Sequence, residues 1–146
     1  MRDIRYQGAI VQDDKILLIK HREHKSGRSY WVVPGGGREQ DETEVECVIR
    51  EMFEETNLVV EVIRLLDQSH LDNDTVYKMR KTYLCKIISG KPKPGYEPEK
   101  DASALYEISE VAWFDLISEE NWDRSIFDNH IAYPILQKIR QELGYS

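Results

Sequence analysis

A chain of 146 residues has length for one domain with a proper core, and residues 1–146 are expected to form one. Its formal net charge of −7 excludes an unaided grip on duplex nucleic acid, whose phosphates would repel it. No apolar run of about 18 residues and no N-terminal apolar h-region occurs, so no membrane association and a cytoplasmic location are expected.

The chain opens with two short apolar runs, residues 4–11 and 15–20, either side of Gln12-Asp13-Asp14, which reads as a hairpin turn. Residues 21–29 follow, where Arg22, Lys25 and Arg28 continue the positive charge of Lys20. They are expected as a solvated loop, or alternatively as a basic rim for an anionic ligand. Residues 30–35 then form an apolar strand stopped by Pro34-Gly35. Next comes a glycine turn feeding a Glu-rich helix, residues 36–58. At 100° per residue, Val45, Val48, Ile49, Met52 and Phe53 fall on one side of that helix, and Arg50, Glu51, Glu54 and Glu55 on the other. Carboxylates one turn apart repel unless something positive sits among them. A solvated acidic face is the plain reading of such a patch. The adjacent glycines favour a ligand instead, because they let backbone pass close to it. A hard divalent cation suits carboxylate and carbonyl oxygens.

Residues 58–66, rich in Val, Ile and Leu, are expected as a strand, and 68–74, with His70, as a turn. Residues 75–89 form another strand, with Tyr77, Met79, Lys81, Tyr83 and Cys85 alternating along it. Residues 90–102 form a Pro- and Gly-rich loop that carries Glu97 and Glu99. A last edge strand is expected over 105–116. A second helix covers 126–143, with Ile131, Ile135, Ile139 and Leu143 as its core stripe and Pro134 near its start. Cys47 and Cys85 lie far apart and read as small buried residues, not a disulfide or metal site. The strands outnumber the helices, and the two long helices are placed to cover opposite sides of a sheet. The class is α/β.

Gly36, Glu42, Arg50, Glu51, Met52, Glu54, Glu55 and Leu58 fall at the spacings of the Nudix hydrolase (MutT-like) signature, which this stretch resembles. It departs where the signature's second glycine is Asn57, a residue nearly as tolerant of a left-handed helix end. It also carries Asp41 where a further glycine is common, which puts the loop shape in question. The resemblance implies a Nudix-type α/β/α sandwich with a mixed β-sheet between helices. It implies hydrolysis of a pyrophosphate bond in a nucleoside diphosphate linked to another group. The implied cofactor is Mg²⁺ (or Mn²⁺), with the Gly35 carbonyl, Glu51, Glu54 and Glu55 as ligands, and Glu54 or Glu51 handling the attacking water. Arg50 would orient a neighbouring carboxylate, while Glu42 and Glu39 would support the loop. Glu97 or Glu99 would add a late carboxylate. The implied substrate is a small-molecule nucleotide, an oxidised purine nucleoside triphosphate first, with ADP-ribose or a dinucleoside polyphosphate as alternatives. Arg28 and Asn129 are the candidate substrate contacts, Asn129 having a helix cap as its plainer role. A non-catalytic nucleotide-binding module should show broken carboxylates, and here the pairs are intact. The sequence leaves the oligomeric state open.

Overall fold

The computed structural model describes residues 3–72, 76–96 and 106–145. Strands β1 (Ile4–Gln12) and β2 (Lys15–Glu23) form the expected hairpin. Its two-residue turn holds Asp13 and Asp14 at φ 53° and 62°, the paired left-handed geometry whose twist matches the flanking strands. The two strands stay paired only near that turn, at Val11–Ile16 and Gln12–Lys15. Beyond it they part, and the sheet opens into two wings. In one wing β1 lies between β4 (Gly35–Gly37), antiparallel, and β6 (Met79–Ser89), parallel, with β5 (Val59–His70) beyond β6. In the other, β2 lies between β3 (Ser29–Val32) and β7 (Tyr106–Asp115). The sheet is therefore mixed.

Period-2 alternation puts apolar residues on both faces of the hairpin. Tyr6, Ile10 and Leu17 join Cys47, Val48 and Met52 of helix α1 (Glu44–Thr56) in one core. Ala9, Ile16 and Leu18 join Trp31, Phe114, Leu136 and Ile139 in the other, beneath helix α2 (Ala132–Glu142). The result is the expected α/β/α sandwich. Both cysteines are buried and free. Among the described residues no helix is long and apolar enough to cross a membrane.

Several expectations need correction. His21, Arg22 and Glu23 extend β2, so His21 is buried and not part of a solvated loop. β5 runs on through His70, because pairing with Met79–Arg80 carries it past the predicted turn. The second helix starts at Ala132, after a short 3-10 turn at Arg124–Ile126. Asn129 accepts the Ile131 and Ala132 amides there, and Pro134 falls in the first turn, where its missing N–H costs nothing. Ile131 is consequently 51% exposed and not in the core stripe, whereas Ile135 and Ile139 are buried. Finally, α1 is rolled relative to its predicted faces. Val45 and Phe53 are exposed, and Glu51 and Glu55 are buried with Met52.

Candidate functional site

The roll of α1 makes the site. Its first turn is set by Thr43, whose hydroxyl accepts the Glu46 amide while Glu46 accepts the Thr43 amide, a reciprocal capping box. Lys81 and Tyr83 of β6 both donate to Glu44, tying that end of the helix to the sheet. Between β4 and α1 the chain turns at Asp41, φ 66°, so a non-glycine residue holds the left-handed geometry at that position. At the far end Asn57 closes the helix at φ 66°, its backbone amide donating to the Phe53 carbonyl. Its side-chain Nδ2 also donates to the Lys91 carbonyl at 3.1 Å, which ties the helix end to the segment after β6.

The carboxylates that this places against β4 are held from two sides. Gly36 lies directly under Glu51: a Cβ there would come within 2.5 Å of Oε1, so only glycine lets the carboxylate lie against the strand. The Gly35 amide donates to Glu55 Oε1 at 2.8 Å. Arg50 occupies the middle of the acidic patch. Its Nε and Nη2 grip Glu42 as a fork, at 2.6 and 2.9 Å. Its Nη1 donates to Glu51 at 3.0 Å and Glu54 at 3.1 Å, and its Nη2 also reaches the Gly37 carbonyl. These contacts hold Glu42 below the ordinary carboxylate range and push the Arg50 guanidinium further up. Glu51 is 1% exposed and Glu55 is fully buried, whereas Glu54 keeps 13% of its side chain open to solvent.

Glu51, Glu54, Glu55 and the Gly35–Gly37 strand are thus brought together, as their spacing predicts. Among the described residues, no three acidic, His or Cys side chains already converge as a metal cage. Glu51 and Glu54 converge on Arg50 instead. The donor set is nonetheless the kind a hard cation takes, carboxylate oxygens beside backbone carbonyls. The Gly35 carbonyl is engaged by Arg5 Nη1 at 3.1 Å. Glu97 and Glu99 lie outside the described residues, but the chain leading to them is placed. Lys93, Gly95 and Tyr96 donate their amides to the carbonyls of Thr56, Glu55 and Glu54, so the loop caps the C-terminal end of α1.

Arg28 stands at the exposed β2–β3 tip, 3.7 Å from Glu23 and 5.7 Å from the Tyr30 ring. Asn129 is engaged as a cap through its Oδ1, and its Nδ2 donates to the Trp31 carbonyl. Both ends of that amide are hydrogen-bonded within the fold, as the plainer of its two expected roles, a helix cap, requires. What the sequence did not disclose is a cavity of about 360 Å³ between the two wings, on the α2 side, lined among others by Arg5, Arg80, His21, Tyr30 and Tyr106. Arg5 links cavity and carboxylates through Gly35. The available signal was charge at inward register positions: Arg5 shares a strand face with Gln7 and Ala9, and Arg80 with Thr82.

The NUDIX domain model matches residues 4–130, and the chain belongs to that family. Among its relatives, an NAD-capped RNA hydrolase NudC from Vibrio atlanticus (strain LGP32) is 34% identical over 110 residues, 75% of this chain and 36% of the relative. An ADP-ribose pyrophosphatase from Methanocaldococcus jannaschii is 38% identical over 90 residues, covering 60% of this chain and 53% of the relative. A MutT NUDIX hydrolase structure from Burkholderia pseudomallei superposes with a TM-score of 0.68 at 27% identity, covering 95% of this chain and 98% of that one. The chain thus spans between about a third and a half of these two sequence relatives. Nudix hydrolases generally use divalent metal ions.

Proposed function

We propose that this chain is a metal-dependent pyrophosphohydrolase that cleaves a nucleoside diphosphate linked to a further group. The observation that carries the reading is that Glu51 and Glu55 pack against the glycine strand while Glu51 and Glu54 share Arg50. The Gly35 carbonyl, Glu51, Glu54 and Glu55 would hold Mg²⁺ or Mn²⁺, with phosphate oxygens of the substrate completing the shell. Such an ion, when bound, supplies charge stabilisation at the phosphate oxygens and makes water a better nucleophile.

The chain's own groups then divide the work. Glu54 is the carboxylate open to solvent, so it is our base for the attacking water; Glu51 is too enclosed to receive one. Arg50 fixes the rotamers of both and offsets their mutual repulsion, while Glu42 fixes Arg50. Arg28 remains a rim contact for an anionic substrate.

For the substrate, we place ADP-ribose-like compounds ahead of an oxidised purine nucleoside triphosphate. Two relatives are named for NAD-capped RNA and for ADP-ribose, and Asn129, a candidate substrate contact, is engaged as a cap. The test is a nucleotide panel with Mg²⁺ or Mn²⁺, read for phosphate and nucleotide products. Glu54→Gln should keep the fold, since its neighbours remain, and lower kcat by about a hundredfold or more. An unchanged rate at saturating Mg²⁺ would remove Glu54 from the mechanism.

A further inference from the structure

The cavity between the wings is built around two positive charges. Among the described residues, no Asp or Glu side chain lines it. Arg80 is 6% exposed; its Nη2 donates to Ser69 Oγ at 3.1 Å, and its Nε is buried without a partner. An arginine stays charged when buried, so it calls for an anion nearby. Among the described residues none forms an ion pair with it. Asp67, the carboxylate whose field reaches it, is engaged by Ser69 at 2.9 Å and lies 3.7 Å from Lys138. Arg5 adds a second guanidinium, donating to the Val33 carbonyl at 2.7 Å and to Gly35. The field of Glu55 reaches Arg5 from the α1 side, so Arg80 is the charge left wanting. Burial first, and then the field of Arg5, make the charged form of Arg80 less favourable.

His21 forms a further part of the wall. It is 5% exposed, stacks on Tyr106 at 4.3 Å, and has Nε2 buried without a partner. Burial and Arg5 keep the ring neutral, with its pKa lowered to about 3. A neutral imidazole can still donate one hydrogen bond. Val32, Ile131 and Ile135 supply apolar walls, which strengthen any charge interaction inside.

We propose that this cavity receives a phosphate monoester of the substrate, separate from the pyrophosphate that is cleaved, with Arg80 as its direct partner and Arg5 and His21 beside it. The proposal rests on the nucleoside-diphosphate reading for its substrate, but the anion site itself does not. A flat uncharged base would leave the Arg80 charge uncompensated, whereas a phosphate dianion matches it and takes its fork. Arg80 and its partners would then discriminate among nucleoside diphosphates by a group remote from the reacting phosphorus, and that group would be bound from the opposite side of β1 and β4 to α1.

Two measurements test this. First, thermal melting is followed against inorganic phosphate in the presence of a chelator, with chloride at matched ionic strength as reference. Without metal the α1 carboxylates repel phosphate, so a specific rise reports the cavity. The parent, Glu54→Gln and Arg80→Lys should each gain stability with phosphate beyond chloride; Arg80→Gln should lose that difference. Equal phosphate responses in the parent and Arg80→Gln would overturn the site. Second, kcat/KM is compared for substrate pairs differing by one phosphate: ADP-ribose with its 2′-phosphate, and dephospho-coenzyme A with coenzyme A. The parent should favour at least one phosphorylated member by about tenfold or more, and Arg80→Gln should bring that ratio towards one. Phosphate stabilisation without any such preference would overturn the substrate assignment and leave a site for free anions. Failure to cleave any nucleotide, with the Arg80-dependent stabilisation intact, would instead sink the hydrolase reading alone.

Discussion

Asn57 terminates α1 at φ 66°, a left-handed conformation that costs most residues about a kcal/mol or more. Glycine would be the easier occupant, but Asn57 also donates from Nδ2 to the Lys91 carbonyl, and a glycine would lose that bond. The two effects offset. Asn57→Gly should therefore change unfolding free energy by less than about 0.5 kcal/mol, while β-branched Asn57→Val should cost about 1–2 kcal/mol. Urea unfolding of both variants checks this, and a Val variant more stable than the Gly variant would contradict the assigned helix end. The same logic covers Asp41, which adopts φ 66° where the signature commonly carries glycine. Its identity raised a question about loop shape; its backbone answers it.

At the scale of elements, the loop after β6 matters most. Gly95 packs so tightly on the end of α1 that a Cβ would overlap the Glu54 carbonyl, and the chain then continues to Tyr96, whose amide donates to Glu54. The next residue is Glu97. The loop is thus anchored on the end of α1 as far as Tyr96, and the proposal that Glu97 or Glu99 adds a carboxylate to the metal is tested by substitution. Glu97→Gln and Glu99→Gln, made separately and assayed across metal concentration, should differ. One should raise the metal requirement or lower the maximal rate, and the other should match the parent. Parent-like behaviour in both at limiting metal would leave α1 and Gly35 as the whole ligand set. Local sequence marked these elements unevenly. Thr43-x-x-Glu46 spells the start of α1, yet the glycine turn and helix read as one stretch because periodicity blurs boundaries.

For the molecule as a whole, His21 ties stability to pH. Its folded-state pKa of about 3 lies below the ordinary 6.5, so between those values the unfolded chain binds a proton that the folded chain refuses. That contribution is complete above about pH 6.5 and is lost as pH falls towards 3, by up to roughly 1.4 kcal/mol per unit. Glu42 and Glu44, both depressed by Arg50 and Tyr83 respectively, add their losses only at lower pH, below the ordinary 4.5. Comparing urea unfolding at about pH 7 and pH 5.5 isolates the histidine. His21→Phe, which keeps a ring against Tyr106, should flatten the slope there; equal slopes in the two proteins would mean that His21 is not held neutral by the fold.

Spacing along one helix was enough to group Arg50, Glu51, Glu54 and Glu55, because about 3.6 residues per turn places them together whatever surrounds them. Gln12-Asp13-Asp14 likewise declared its hairpin, and alternating apolar residues declared the strands around it. The direction in which α1 faces was not available at that level. Apolar periodicity pointed Val45 and Phe53 inward, but Glu51 and Glu55 are buried because Arg50, the Gly35 amide and the bare backbone of Gly36 receive them. Nor could the chain alone show that Arg5, His21 and Arg80, far apart in sequence, line one cavity. Their meeting depends on β1 pairing in parallel with β6 and on β1 and β2 parting after the hairpin, and both are decided by long-range packing.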